Sequence, residues 1–127
     1  MFSIIENVLV LPDGGKVEFQ LPIRQALPDG NQCYVVLDAH PRMSFHDNVY
    51  CVSSTGQILW QIEKHLSGQG DTFGEGRIRK DGSLEFWNSD SIWLTVDRET
   101  GKAIGYRLEK GGPYSERDTP LQPRSRP

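Results

Sequence analysis

The stretch Asn48–Glu63, NVYCVSSTGQILWQIE, carries two short apolar runs separated by Ser54-Thr55-Gly56. In the second run Ile58, Trp60 and Ile62 alternate with polar or smaller neighbours. A period of two belongs to strands, and a short break containing Gly belongs to a hairpin turn. The stretch therefore reads as two antiparallel strands, with Trp60 as the largest apolar anchor.

Upstream, Phe2–Leu11 is an apolar run ending at the turn signal Pro12-Asp13-Gly14-Gly15. Val17, Phe19 and Leu21 then alternate with Lys16, Glu18 and Gln20, a strand with one wet face. Pro28-Asp29-Gly30-Asn31 reads as a further turn, and Cys33–Ala39 as a strand. Just before that turn, Ile23–Leu27 is the one place for a turn of helix.

Downstream, Gly74–Lys80 and Ser83–Trp87 flank Asp81-Gly82, a strong two-residue hairpin signal. Ser91–Asp97 and Lys102–Glu109 flank Arg98–Gly101. A turn at Asn88–Asp90 would place Leu84 and Phe86 opposite Leu94 and Ile92. Trp87 and Trp93 would then share the other face, so both faces need cover. In the last strand Ile104, Tyr106 and Leu108 form the expected inward set. The expectation is an all-β antiparallel meander of about nine short strands, forming a sandwich or a partly open barrel. Residues 1–112 make one domain, and the Pro-, Ser- and Arg-rich residues 113–127 a flexible tail.

Three segments repeat one skeleton: VLVLPDGGKVEFQL, YCVSSTGQILWQI and LTVDRETGKAIGYRL, with glycines at Gly15, Gly56 and Gly101. A spacing of roughly forty residues is the size of a four-stranded blade, giving two propeller-blade-like units. The central segment resembles the blade motif of quinoprotein-type (PQQ-like) propeller repeats in its Val49-Tyr50 strand, Thr55-Gly56 and Trp60. It departs from that motif with Ser53 where an acidic residue is usual. The third segment has Asp97 and Thr100-Gly101, but Gly105 where the Trp would stand. Leu37–Leu108 is also similar to part of a group of small uncharacterised bacterial proteins. Neither resemblance implies a catalytic residue or a cofactor, and propellers need about four blades or more to close.

Thirty-six per cent hydrophobic residues in 127 are enough for one core. A net charge of −3 argues against a nucleic-acid partner. The N-terminus lacks the basic segment of a signal peptide, and no stretch is long and apolar enough for a membrane span. The expected setting is cytoplasmic, with Cys33 and Cys51 as reduced, buried thiols.

Candidate chemistry is sparse. His40, His46 and His65 match no compact metal-ligand spacing, so no metal and no other cofactor is expected. His40 and His46 share an irregular loop, which leaves them as candidate binding residues. The glycines at 68, 70, 74 and 76 precede a strand rather than a helix, unlike a phosphate loop. Ser53 and Ser54 lack a nucleophile-elbow context. Asp90, Asp97 and Glu99 are ordinary turn residues, despite the use of paired carboxylates in glycosidases. Trp87 and Trp93, if exposed, could stack on a sugar or anchor a protein. The leading expectation is a non-enzymatic protein-interaction module, immunity-like or regulatory, acting on another protein or by self-association. The alternative is a carbohydrate or small-ligand domain using the two tryptophans.

Overall fold

The computed structural model describes residues 1–40, 42–43, 45–63, 71–89 and 91–108. Its strands form three consecutive antiparallel meanders. The N-terminal sheet is β1 (Ser3–Ile5), β2 (Val8–Val10) and β3 (Lys16–Glu18). The central sheet is β4 (Ile23–Asp29), β5 (Gln32–Leu37), β6 (Val49–Ser53) and β7 (Ile58–Gln61). The C-terminal sheet is β8 (Phe73–Ile78), β9 (Leu84–Asn88), β10 (Ile92–Val96) and β11 (Ala103–Leu108). None closes into a barrel, and the described residues contain no helix.

The sheets stack as three layers with the central sheet in the middle. One of its faces, with Tyr34, Val36, Val49, Cys51, Trp60 and Ile62, packs on Phe73, Ile78, Leu84, Phe86, Leu94 and Val96 of the C-terminal sheet. Its other face, with Ile23, Ala26, Cys33, Val35, Leu37 and Val52, packs on Leu9, Leu11 and Phe19. A sheet covered on both faces needs continuous apolar strands rather than alternating ones. This is why Cys33-Tyr34-Val35-Val36-Leu37 is buried without a break.

The three segments of like skeleton form the β2–β3, β6–β7 and β10–β11 hairpins, the last hairpin of each successive sheet. Gly56 and Gly101 adopt positive φ in the second and third, which non-Gly residues rarely do. In the first, Gly14 takes that role instead of Gly15. At Gly101 a Cβ would also lie 2.5 Å from Trp60 Cε3. Gly101→Ala should therefore destabilise the fold by about 1–3 kcal/mol through overpacking. An unchanged denaturation midpoint would show that Trp60 can shift aside.

Polar groups clamp both ends of the inner sandwich. At one end the Tyr34 hydroxyl donates to Asp29 Oδ2 at 2.5 Å, and Arg98 Nη1 donates to the same oxygen at 2.8 Å. Trp60 Nε1 donates to Arg98 O at 2.7 Å, and Arg98 also bonds Gly82 O. At the other end buried Asn48 donates to Leu37 O and Phe73 O, both at 2.7 Å, and accepts from Phe73 N. One side chain thus links two sheets while satisfying backbone groups that would otherwise be orphaned.

Several expectations change. The run Phe2–Leu11 is broken at Glu6-Asn7 into two strands, with Glu6 at φ 54°. Ile23–Leu27 belongs to β4 rather than to a turn of helix. Pro28 is tolerated there because β4 is an edge strand, where a missing N–H costs no ladder bond. The described residues thus carry eleven strands rather than about nine. In the β9–β10 hairpin Phe86 faces Leu94 and Leu84 faces Val96, a two-residue shift from the expected register that keeps the same faces. Asn88 tightens this turn, accepting from Ser91 N through its carbonyl and from Ile92 N through Oδ1. Ile58 is exposed, because a bulge between Cys51 and Val52 takes it off the face of Trp60. The tail 113–127 lies outside the described residues.

Cys33 and Cys51 are unpaired and sit on opposite faces of the central sheet. Side chains on opposite faces cannot form a disulfide without rebuilding the sheet. Burial, aided by the neighbouring Cys51, pushes the Cys33 thiol up to about 12, and burial, aided by Asp29, pushes Cys51 up to about 12. Raised values keep both protonated throughout the neutral range, and the thiolate is the reactive form. The folded protein should therefore leave both cysteines unlabelled by a thiol reagent at pH 8, and denaturant should expose two. Rapid labelling of the native protein would reveal local opening of β5 or β6.

Candidate functional site

The outer face of the C-terminal sheet carries the two candidate tryptophans. Cross-strand rows run Glu75–Trp87–Trp93–Arg107 and Arg77–Glu85–Thr95–Gly105. Trp87 and Trp93 are directly opposite, edge to face, with centroids 5.3 Å apart. The sequence brings them together as expected, but not as an exposed pair. Trp93 is fully buried and Trp87 half-buried. The Arg77 guanidinium lies 3.9 Å above the Trp93 ring, within cation–π range, so that ring face is already occupied.

Glu85 is the hub of this face. It accepts from Arg77 Nε at 3.2 Å and from Arg107 Nε and Nη2, each at 2.9 Å, and Arg79 Nη1 lies at 3.7 Å. Arg77 and Glu85 are both fully buried. Burying charges is costly unless they are paired with good geometry, and the two Arg107 bonds supply such geometry. The charged residues pack around the tryptophans here, covering Trp93 and leaving Trp87 half-buried.

His40 and His46 separate. His40 lines a cleft of about 210 Å³ together with Arg24, Ala39, Thr72, Phe73, Gly74, Asn88 and Ser89. Its Nδ1 accepts from Arg42 N at 3.1 Å, a bond internal to the loop. His46 is exposed and does not line that cleft. Among the described residues no three His, Cys, Asp or Glu side chains converge on a metal position. His65, Asp90 and the glycines at 68 and 70 lie outside the described residues. Ser53 Oγ accepts from Thr55 N and Gln57 N, and Asp97 Oδ1 from Glu99 N, so both serve their turns.

The feature that sequence reasoning missed is on β11. Ile104, Tyr106 and Leu108 were expected to point inward, yet they are 66%, 54% and 73% exposed. For two of them the parity is right, since Tyr106 faces Leu94 and Leu108 faces Ile92 on the core side of the sheet, while Ile104 falls at the irregularity between Ala103 and Gly105. The central sheet simply ends at β7, so nothing among its strands extends over them. β7 and β11 border the same side of the sandwich, where Glu63 N donates to Gly101 O at 3.0 Å. Ile58 and Leu59 of β7 are exposed there as well. Among the described strands β7 and β11 each pair on one side only, and both carry exposed apolar residues. A large exposed apolar patch is the mark of a contact surface.

A family model matches residues 1–108, the whole span of the three sheets. The chain belongs to the family described as Domain of unknown function (DUF7957). Membership covers the DUF7957 domain from β1 to the last residue of β11, so the β7/β11 margin is part of the domain itself. No curated protein matches the chain. Within this DUF7957 domain no described helix is long and apolar enough to cross a membrane.

Proposed function

We propose that this DUF7957 domain is a non-catalytic protein-docking module, immunity-like or regulatory, whose contact surface is the β7/β11 margin. The observation that carries the reading is the exposure of Ile104, Tyr106 and Leu108 on an edge strand. Such an edge offers main-chain hydrogen bonds for affinity and alternate side chains for specificity, the chemistry of strand addition. Two buried, unpaired thiols fit a reducing, cytoplasmic setting.

The test uses a displayed library of short random peptides, selected on the full chain. Extended peptides with alternating apolar residues should be recovered. They should lose at least about a hundredfold in affinity for the double variant Ile104→Lys/Leu108→Lys. If selected peptides bind that variant as tightly as wild type, or none is recovered, this surface is not the docking site.

A further inference from the structure

We propose that the cleft lined by His40 binds a small monocarboxylate, with Arg24, His40 and Thr72 as its donors and Phe73 and Ala39 beneath its carbon chain. This site is separate from the docking margin, because it lies where β4 borders β8, across the sandwich from β7 and β11. Arg24 comes from β4, Ala39 and His40 from the segment after β5, Thr72, Phe73 and Gly74 from the start of β8, and Asn88 and Ser89 from the end of β9. Ala39, Thr72, Phe73 and Asn88 are buried and make the floor, while Arg24, His40 and Ser89 are exposed and make the rim.

The walls are pinned before any ligand arrives. Gly76 N donates to Gln25 Oε1 at 2.7 Å, and Gln25 Nε2 donates back to Gly76 O at 3.0 Å, so β4 is tied to β8. Asn48 ties Leu37 to Phe73, and Ser89 N donates to Thr72 O at 2.9 Å. Such preorganisation lowers the cost of binding.

The floor holds a polar group that needs a partner. Thr72 is 5% exposed, and its hydroxyl has no hydrogen-bond partner among the described residues. Buried hydroxyls are normally bonded, so one left over in a cleft is suited to a ligand. The other two donors sit on the rim. His40 Nδ1 accepts from Arg42 N, so a neutral imidazole carries its proton on Nε2 and presents a donor there. Arg24 gives one N–H to Asp38 Oδ1 at 3.2 Å, in an exposed pair, and a guanidinium has five.

Donors around a single guanidinium suit an acceptor with one negative charge, and the guanidinium fork matches a carboxylate. A dianion would leave one charge uncompensated beside Asp38. Phe73 and Ala39 give the site an apolar base, which an inorganic anion would not use. Gly74 is the extra residue of a bulge, since Phe73 pairs with Asn88 and Glu75 with Trp87. Bulges are frequent beside active sites. A Cβ at Gly74 would meet no atom within 4 Å, and its φ is not left-handed, so a side chain can be placed in the cleft there without strain.

Amide chemical shifts of the isotope-labelled full chain, followed by NMR during titration with butyrate, read the site directly. Saturable shifts should centre on Thr72, Gly74 and Ser89, with a Kd of roughly 0.1–1 mM. Butyramide, which keeps the skeleton and loses the charge, and inorganic phosphate should each bind at least about tenfold more weakly. Arg24→Gln should weaken butyrate binding about ten- to a hundredfold, and Thr72→Val about tenfold. Gly74→Leu should abolish binding while the protein stays folded. The proposal falls if no shift saturates below about 10 mM butyrate, or if the shifts centre away from the cleft. It falls equally if butyramide or phosphate matches butyrate, or if any of the three variants binds butyrate as tightly as wild type.

Discussion

Glu85→Ala is expected to cost about 3–5 kcal/mol of folding stability, the range for removing one partner of a buried ion pair. The change strips the shared acceptor from Arg77, Arg79 and Arg107 at once. Arg77 suffers most, because it is fully buried over Trp93. Glu85→Gln keeps the shape and some of the hydrogen bonds, so it should cost less than the alanine. Combining Glu85→Leu with Arg77→Met should recover part of the loss, since apolar pairs of similar volume often replace buried ion pairs without penalty. Urea denaturation of these variants decides the matter. A loss below about 1 kcal/mol for Glu85→Ala would mean that water reaches the cluster and the charges are solvated.

Trp60→Ala carries the second large effect. The ring is buried between the sheets and stacks on Tyr34 at 5.8 Å. Its Nε1 holds Arg98 O, and its face fills the space left by Gly101. Truncation removes the packing, leaves a cavity and frees a carbonyl that the ring had satisfied. Large aromatic-to-alanine changes in cores cost about 3–5 kcal/mol, a large share of what holds a domain of this size together. Trp60→Phe should recover most of the packing and none of the hydrogen bond. Thermal unfolding of Trp60→Ala within a degree or two of wild type would show that the two inner sheets are not joined there.

Much of the fold is legible in the chain because turn chemistry and strand period are local. Thr55-Gly56, Asp81-Gly82 and Thr100-Gly101 mark three hairpins, and all three form with positive φ at the glycine. β4 is hidden because Arg24 and Pro28 interrupt any alternation, and only its edge position makes them acceptable. The pairing of Trp87 with Trp93 follows from parity, as does the need to cover both faces of that hairpin. The burial of Trp93 does not follow, since Arg77 lies over its ring, and Leu84-Glu85-Phe86 reads locally as an ordinary wet-and-dry strand.

The same limit hides the candidate site. Periodicity assigns Ile104, Tyr106 and Leu108 to the face of Leu94. It carries no information about where the opposing sheet stops. That boundary is set by the four-residue β7 and by how the central sheet sits on its neighbour, both properties of packing between distant segments.

Whether that stripe is surface or core is settled most directly by equilibrium denaturation of Ile104→Lys/Leu108→Lys at low micromolar concentration, beside Leu94→Lys. Exposed substitutions usually change stability by no more than about 0.5 kcal/mol each, whereas an unpaired charge in a core is severely destabilising. The double variant should unfold with a midpoint close to wild type, while Leu94→Lys fails to fold. Loss of folding in the double variant would place the stripe inside the protein and remove the surface on which the docking function rests.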